Sequence, residues 1–179
     1  MWSLLLVTLP TQPGAVRLRI WRALKALGCV SLRDGAYVLP AEHGAAFDEI
    51  ADEVLRHGGT ASVFELSTRG TQQHDELLAQ FSRTEAYARW RELGETLRGD
   101  LPSLDETDGR RKLRTLAEAL AALQRTDYFA GAPLQQAQAF LAELRRDADA
   151  RYSPGEPRPR PAPGTVPRLD RTRFVGKRW

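Results

Sequence analysis

The sequence predicts an α/β (α+β) fold, with four strands and two helices in residues 1–70. Three observations indicate it: short apolar runs bounded by proline or glycine, two segments with apolar residues every three or four positions, and a purely helical pattern over the next roughly 80 residues. The order strand-helix-strand-strand-helix-strand predicts a ferredoxin-like βαββαβ domain, with an antiparallel sheet and both helices on one face. The length of 179 residues suits one such domain with a helical extension.

The first strand and the first helix are predicted from residues 3–27. Residues 3–9 form a short apolar run that Pro10 stops, which is typical of a buried strand. From residue 15 the apolar positions recur at helical spacing, and Gly28 follows them where a glycine commonly ends a helix. Around this helix the apolar stripe lies opposite Leu18, Arg22 and Lys25, with Arg17 and Arg19 at its flanks. The helix is therefore predicted to be amphipathic with a basic outer face.

A hairpin, a second helix and a last strand follow. Residues 29–32 and 36–39 are β-prone runs joined by Arg33-Asp34-Gly35, and an Asp-Gly pair favours a hairpin turn. Pro40 ends the second run, and residues 61–66 alternate like a strand. Between them a second helical stripe closes at Gly58-Gly59 and consists of Ala45, Phe47, Ile50, Ala51, Val54 and Leu55.

Residues 71–152 are predicted to be an all-helical hairpin or bundle. Ser82-Arg83-Thr84-Glu85 and Ser103-Leu104-Asp105-Glu106 have the form of capping boxes, although the first could also lie inside one long kinked helix. Residues 127–131 interrupt the helical pattern. The apolar stripes are expected to be buried against each other, against the sheet or against a second subunit, and they include Leu77, Leu78, Phe81, Ala86, Trp90, Leu93, Leu97, Leu113, Leu116, Leu120, Leu123, Leu134, Ala137, Leu141, Leu144 and Ala148.

Residues 153–179 form a third predicted region, a disordered tail rich in proline and arginine. Six prolines fall within residues 153–167, and such a segment is expected to be an extended linker. The chain then stops on a β-like stretch without a partner, so we expect a second domain to follow in the full-length protein.

The charge is unevenly distributed along the chain. The formal net charge is +3, but residues 1–33 carry +5, residues 34–150 carry −8 and residues 151–179 carry +6. No apolar run approaches the roughly 20 residues of a membrane span. A single cysteine, Cys29, excludes an internal disulfide and fits a reducing compartment. We therefore expect a cytoplasmic protein that does not enter the membrane.

No catalytic or metal site is predicted from the motifs. The three histidines, His43, His57 and His74, have no ligand-like spacing, and Cys29 is best explained as a small apolar residue. Nucleophile elbows and phosphate-binding loops are absent. A metal nuclease of the same topology would need an acidic residue at the end of the first strand, where Thr8 or Leu9 stands. We expect no enzyme activity, and a degenerate nuclease is the least favoured alternative.

The basic first helix is the candidate binding site. Arg17, Arg19, Arg22 and Lys25 give four positive charges in nine residues, without an acidic side chain near enough to relieve their repulsion. Such a helix can bind DNA phosphates, with Arg22, Lys25 and Leu18 central and the other two at the flanks. Two alternatives stay open, namely a solvated face and pairing with the acidic second helix. A further alternative is an interaction module in which the leucine stripes mediate dimerisation or dock the missing domain.

Several short segments occur in a fixed order over nearly the whole chain: Leu9-Pro10, Ile20-Trp21-Arg22-Ala23-Leu24, Leu27-Gly28, Gly35-Ala36-Tyr37-Val38-Leu39-Pro40, Asp75-Glu76-Leu77 before Phe81, Tyr87 and Thr126-Asp127-Tyr128-Phe129. With these segments the chain resembles the N-terminal domain of the ChrB family of chromate-resistance proteins. A looser similarity exists to PaaX-type repressors, which carry a comparable βαββαβ module. This chain departs from the family pattern because it ends before the second, larger domain.

The resemblance implies a cytoplasmic transcriptional regulator of a chromate-resistance operon that binds promoter DNA and responds to chromate. Separately, the leucine stripes lead us to expect a homodimer. No cofactor is expected, and chromate is the implied effector, sensed through the missing C-terminal domain. An oxyanion site within this chain would need arginine side chains and backbone N–H groups that converge. Arg33, beside the Asp34-Gly35 turn, and Arg69, before Gly70, are the candidates for it.

Overall fold

The computed structural model describes residues 1–9 and 14–153. The described residues form four strands, six α-helices and two 3₁₀ turns, the turns at Ala41–His43 and Leu101–Ser103. The predicted mixed α/β class is confirmed, whereas the predicted tail and the proline that was expected to stop the first strand lie outside the described residues. The elements are β1 (Trp2–Thr8), α1 (Gly14–Leu27), β2 (Val30–Arg33), β3 (Ala36–Pro40), α2 (Ala45–Arg56), β4 (Thr60–Leu66), α3 (Thr71–Gln80), α4 (Thr84–Asp100), α5 (Glu106–Arg125) and α6 (Ala132–Tyr152).

The four strands form one antiparallel sheet in the order β2-β3-β1-β4. The central strand β1 is paired on both sides, and its Leu5 lies opposite Tyr37 of β3 and Val63 of β4. Gly35 makes the β2–β3 turn at a φ of 74°, a conformation that favours glycine, and its carbonyl accepts a 2.7 Å hydrogen bond from the Val7 N–H. The Asp-Gly hairpin predicted from the sequence is thus present.

Helices α1 and α2 pack against the sheet and build the first of two apolar cores. Their buried side chains recur every three or four residues because that spacing keeps them on one side of a helix. Leu55 was predicted on the buried stripe of α2, but it is 52% exposed because it lies at the margin of that stripe. The buried residues of the two helices are Val16, Ile20, Leu24, Phe47, Ile50, Ala51 and Val54.

The second core lies between α4, α5 and α6. At its centre Phe140 packs against Gly94 and meets the Trp90 ring edge-on, with ring centroids 5.9 Å apart. The predicted stripes of α4, α5 and α6 are therefore largely buried against each other, whereas Leu77, Leu78 and Phe81 are buried in the first core, against the sheet. Leu93 is an exception, since it lies at the margin of the α4 stripe and is 63% exposed. Within residues 71–152 all the regular elements are helices, as expected.

Both predicted capping boxes are wrong in detail. Residue Arg83, not Ser82, occupies the N-cap position of α4, and no side chain caps that helix. A separate helix does begin there, so the alternative of one long kinked helix is excluded. In α5 the N-cap is Asp105, whose carboxylate accepts the Asp108 N–H at 2.9 Å, while the Ser103 hydroxyl donates to Asp100 instead. An aspartate two residues later can cap as well as the serine, and here it is better placed.

The two cores meet where α1 ends. The Tyr128 hydroxyl donates a 2.5 Å hydrogen bond to the Leu27 carbonyl, and the side chain of Thr126 fills the space beside Gly28. On the neighbouring side Trp2 stacks on Phe81, with ring centroids 5.4 Å apart. Both Phe81 and Tyr128 pack against the first core, so the segment between α5 and α6 contacts the sheet domain directly.

Candidate nucleic-acid interface

Three of the four predicted DNA-contacting residues extend into solvent from α1. Because its buried side faces the sheet, the helix is held in one rotational orientation with Arg17, Arg22 and Lys25 exposed. Within residues 1–9 and 14–153 none of these three cations forms an ion pair. Their charge is therefore available to a partner that carries negative charge.

Two large apolar side chains accompany the cations of α1. Leu18 is 46% exposed and Trp21 is 51% exposed. The ammonium group of Lys25 lies 4.9 Å from the centroid of the Trp21 ring, within the range of a cation–π contact. The outer side of α1 therefore offers apolar area as well as positive charge.

The fourth predicted DNA-contacting residue, Arg19, is paired with an acidic residue of α2. Its guanidinium forms an ion pair with Glu53, whose carboxylate also contacts Arg56 at 2.9 Å and the His57 ring at 3.3 Å. Burial alone would raise the pKa of Glu53, but the cations around it, Arg19 foremost, outweigh that effect and lower the pKa. Arg19 therefore contributes to the contact between the helices, and the predicted pairing with the acidic helix holds for this residue.

The rest of α2 does not cover α1. Three acidic side chains, Asp48, Glu49 and Asp52, are exposed on α2, and none forms an ion pair with a residue of the described ranges. A groove of about 570 Å³ separates the helices and is lined by Ala23 and Ile50 among others. A polyanion that binds α1 is repelled by α2, so it must approach from the side of α1 that faces away from α2.

The two oxyanion candidates lie far apart in the fold. Arg33 ends the edge strand β2 at the β2–β3 turn, whereas Arg69 follows β4, the opposite edge strand. The β2–β3 turn also lies beside Val7, near the end of β1, while Leu66 pairs with Trp2 at the beginning of β1. The two arginines therefore occupy opposite edges and opposite ends of the sheet, and they cannot bind the same anion.

Metal-ligating side chains and the single thiol are the other chemically reactive groups among the described residues. No group of three or more histidine, cysteine or acidic side chains is close enough to hold a metal ion there. Cys29 is half-buried, its thiol donates to the Leu24 carbonyl at 3.2 Å, and burial raises its pKa to about 11. Within the ranges that the structure covers, no helix is long and apolar enough to cross a membrane.

Comparison with known proteins adds a family to this geometry. The family model "Protein ChrB, N-terminal" matches residues 17–118, more than half of the chain. The chain belongs to the ChrB family. It is also 33% identical over 180 aligned residues to Protein ChrB of Cupriavidus metallidurans, an alignment that spans 99% of this chain and 55% of that protein. The chain thus spans about half the length of this curated relative. No solved structure matches the chain.

The ChrB match covers most of the candidate interface. It begins at Arg17, within α1, and continues through β2, β3, β4 and α4 into α5, so β1 lies outside it. All four predicted DNA-contacting residues fall inside it, as do Arg33 and Arg69. Two side chains donate hydrogen bonds to carbonyls at the end of α1, those of Arg83 and Tyr128. Arg83 lies inside the matched range and Tyr128 lies beyond it.

Sequence reasoning missed the residues that fix α1 in place. Arg83 donates hydrogen bonds to the Gly28 and Thr126 carbonyls, and the Tyr87 hydroxyl donates to Asp127 at 2.8 Å. Burial, together with that bond, raises the pKa of Tyr87. The only signal in the sequence is the polar and aromatic cluster at residues 126–129, since the contacts join positions more than 40 residues apart.

Proposed function

We propose that this chain is the DNA-binding module of a transcriptional regulator that acts in chromate resistance. The observation that carries the proposal is the exposed group Arg17, Arg22 and Lys25 on α1, none of which is neutralised by another described residue. Membership of the ChrB family supports a role in the regulation of chromate resistance. The relative's name adds no statement about DNA, so the charge on α1 carries that part of the proposal.

The same proposal covers the fold, the bounds of the three regions, the oligomeric state and the effector. The element order and the strand order β2-β3-β1-β4 support a ferredoxin-like fold for residues 1–70, followed by the helical region 71–152 and the linker 153–179. We propose a cytoplasmic, non-enzymatic protein that binds promoter DNA, can form a homodimer and needs no cofactor. Chromate would act as effector through a C-terminal domain beyond this chain, because Arg33 and Arg69 do not converge.

The basic face of α1 gives the proposal a quantitative test. Each phosphate that a cation neutralises adds about 0.9 to the slope of log K against log salt concentration. Arg22→Ala with Lys25→Ala is therefore expected to weaken binding to a labelled promoter duplex and to make the slope shallower by about 2. Fluorescence anisotropy at several salt concentrations measures both quantities.

A matched control removes the same charge elsewhere. Arg114→Ala with Arg145→Ala changes two exposed arginines of α5 and α6 that form no ion pair within the described ranges. This control should leave affinity and slope close to those of the wild type. Equal losses in both double variants, or no measurable binding by the wild type, would contradict the assignment of α1 as the DNA-binding element and favour an interaction module.

A further inference from the structure

The surface formed by α1 and α2 carries two strips of opposite charge side by side. The basic strip is made of exposed cations on α1, and the acidic strip of exposed carboxylates on α2. Within residues 1–9 and 14–153, none of these side chains has an ion-pair partner. Between the strips, Arg19 and Glu53 form the ion pair that joins the helices, which we call the seam. The basic strip consists of Arg17, Arg22 and Lys25 on α1, and the acidic strip of Asp48, Glu49 and Asp52 on α2.

The positions along the two helices are in register. Strands β1 and β3 are antiparallel and each leads into its own helix, so α1 and α2 run in opposite directions past the seam. At a rise of about 1.5 Å per residue, Lys25 lies about 9 Å from the level of Arg19, and Asp48 lies about 7.5 Å from Glu53 in the same direction. Lys25 is therefore level with the first turn of the acidic strip.

Exposed apolar side chains lie on both helices. On α1, Leu18 and Trp21 are 46% and 51% exposed, and on α2 Leu55 is 52% exposed. Two residues turn by about 200° around a helix, so Leu55 lies on the side of α2 away from Glu53 and the seam. Leu18 lies on the outer side of α1 with Arg22 and Lys25, so α1 supplies the apolar area of this face.

We propose that a second copy of this chain docks on this face. A two-fold axis parallel to both helices, above the seam, places α1 of each copy over α2 of its partner, so that one contact is made twice. Arg22 and Lys25 of each copy then face the partner's acidic strip at the same level. Such complementarity favours association and selects the arrangement.

The docked copy covers Arg22 and Lys25, two of the three cations that we assign to DNA. Self-association and DNA binding are then mutually exclusive on α1, and the free monomer is the form that binds promoter DNA. This competition rests on the proposed function, whereas self-association stands on the charges and the exposed side chains alone.

Charge reversal on either strip tests the docking. Arg22→Glu with Lys25→Glu, and separately Asp48→Lys with Asp52→Lys, should each weaken self-association by more than about tenfold, because like charges then face each other. An equimolar mixture of the two variants should form a heterodimer. Sedimentation velocity of the full chain at about 50 mM and about 500 mM salt measures both, and salt should weaken the wild-type dimer.

Two control variants carry the same charge changes outside the face. Arg114→Glu with Arg145→Glu, and Asp75→Lys with Glu118→Lys, alter exposed residues without an ion pair among the described residues and should dimerise like the wild type. A wild type that stays monomeric, or a mixture that gives no heterodimer, overturns the docking.

DNA binding is measured separately on the same proteins. Asp48→Lys with Asp52→Lys should bind the promoter duplex at least as tightly as the wild type, because the variant is monomeric and keeps its basic strip. If the equimolar mixture of the two charge-reversal variants forms a dimer, the docking is confirmed. If neither the wild type nor any variant binds DNA, the proposed function is refuted even though the docking stands. DNA binding that does not depend on protein self-association overturns the competition.

Discussion

The guanidinium of Arg83 donates a hydrogen bond of 2.7 Å to the carbonyl oxygen of Gly28. Its Nε also donates to the Thr126 carbonyl at 3.1 Å, so one side chain joins the ends of α1 and α5 to the beginning of α4. The carbonyls at the end of a helix carry partial negative charge, which a cation stabilises. Arg83 is therefore a polar link between the two apolar cores, beside the hydrogen bond from Tyr128 to Leu27.

Replacing Arg83 tests this link. Arg83→Met keeps most of the length of the side chain but removes both hydrogen bonds, and it should lower the free energy of unfolding by about 1–3 kcal/mol. Arg83→Lys should recover part of that loss. Arg89→Met is the control, since Arg89 on α4 is largely exposed and has only a 3.8 Å contact with Glu85. Urea unfolding measures all three, and equal stabilities for Met at both positions would contradict the assignment.

A pair of glycines separates backbone strain from packing at the end of α1. Gly28 and Gly58 both have positive φ, 66° and 77°, so alanine costs about 1–2 kcal/mol at either. A Cβ on Gly28 would also lie 2.6 Å from the Thr126 Cβ, whereas nothing lies within 4 Å of one on Gly58. Gly28→Ala should therefore destabilise by about 1–3 kcal/mol more than Gly58→Ala. Similar unfolding midpoints for the two variants would show that the contact with Thr126 can relax.

Two glycines of α4 should respond to alanine with opposite sign. A Cβ on Gly94 would overlap the Phe140 ring, while Gly99 has open space around it. Gly99→Ala should stabilise the helix by up to about 1 kcal/mol, since alanine is the better helix former. Gly94→Ala should destabilise the bundle by about 1–3 kcal/mol through overpacking. Thermal unfolding gives the sign directly, and a stabilised Gly94→Ala would refute the close contact.

The single thiol provides a pH-dependent prediction. Burial raises the pKa of Cys29 from 9.0 to about 11, so the reactive thiolate is scarce in the folded protein at neutral pH. The rate of alkylation by iodoacetamide should rise with a midpoint near pH 9.0 in urea and near pH 11 in the native protein. Because the thiol of the folded protein keeps its proton up to a higher pH than the thiol of the unfolded chain, the free energy of unfolding should fall between pH 9.0 and about pH 11. This fall should be smaller in Cys29→Ala. Identical alkylation profiles in the native and unfolded protein would contradict burial of the thiol.

Local sequence signals predicted the elements well. The Asp34-Gly35 turn, the break at residues 127–131 and the end of α1 at Gly28 follow from turn and cap chemistry that acts over a few residues. The exposed positions of Arg22 and Lys25 follow from helix geometry once the buried stripe is known.

Other features depend on tertiary contacts that the sequence pattern does not show. Periodicity alone could not reveal that Arg19 pairs with Glu53, since the two residues come together only when α1 and α2 pack side by side. It also placed Leu93 and Leu55 inside, although both lie at the margin of their stripes and remain exposed. The separation of Arg33 from Arg69 follows from the strand order, which depends on long-range pairing.

The end of α1 is held by hydrogen bonds to main-chain carbonyls. Tyr128 donates to the carbonyl of Leu27, and Arg83 donates to the carbonyl of Gly28. Every amino acid supplies such a carbonyl, so this attachment does not depend on the outward-facing side chains of α1. Substitutions at Arg17, Arg22 or Lys25 can therefore accumulate in relatives without loosening the helix from its support. The side chains with which α1 binds a partner can therefore change while the hydrogen bonds that hold the helix in place stay the same.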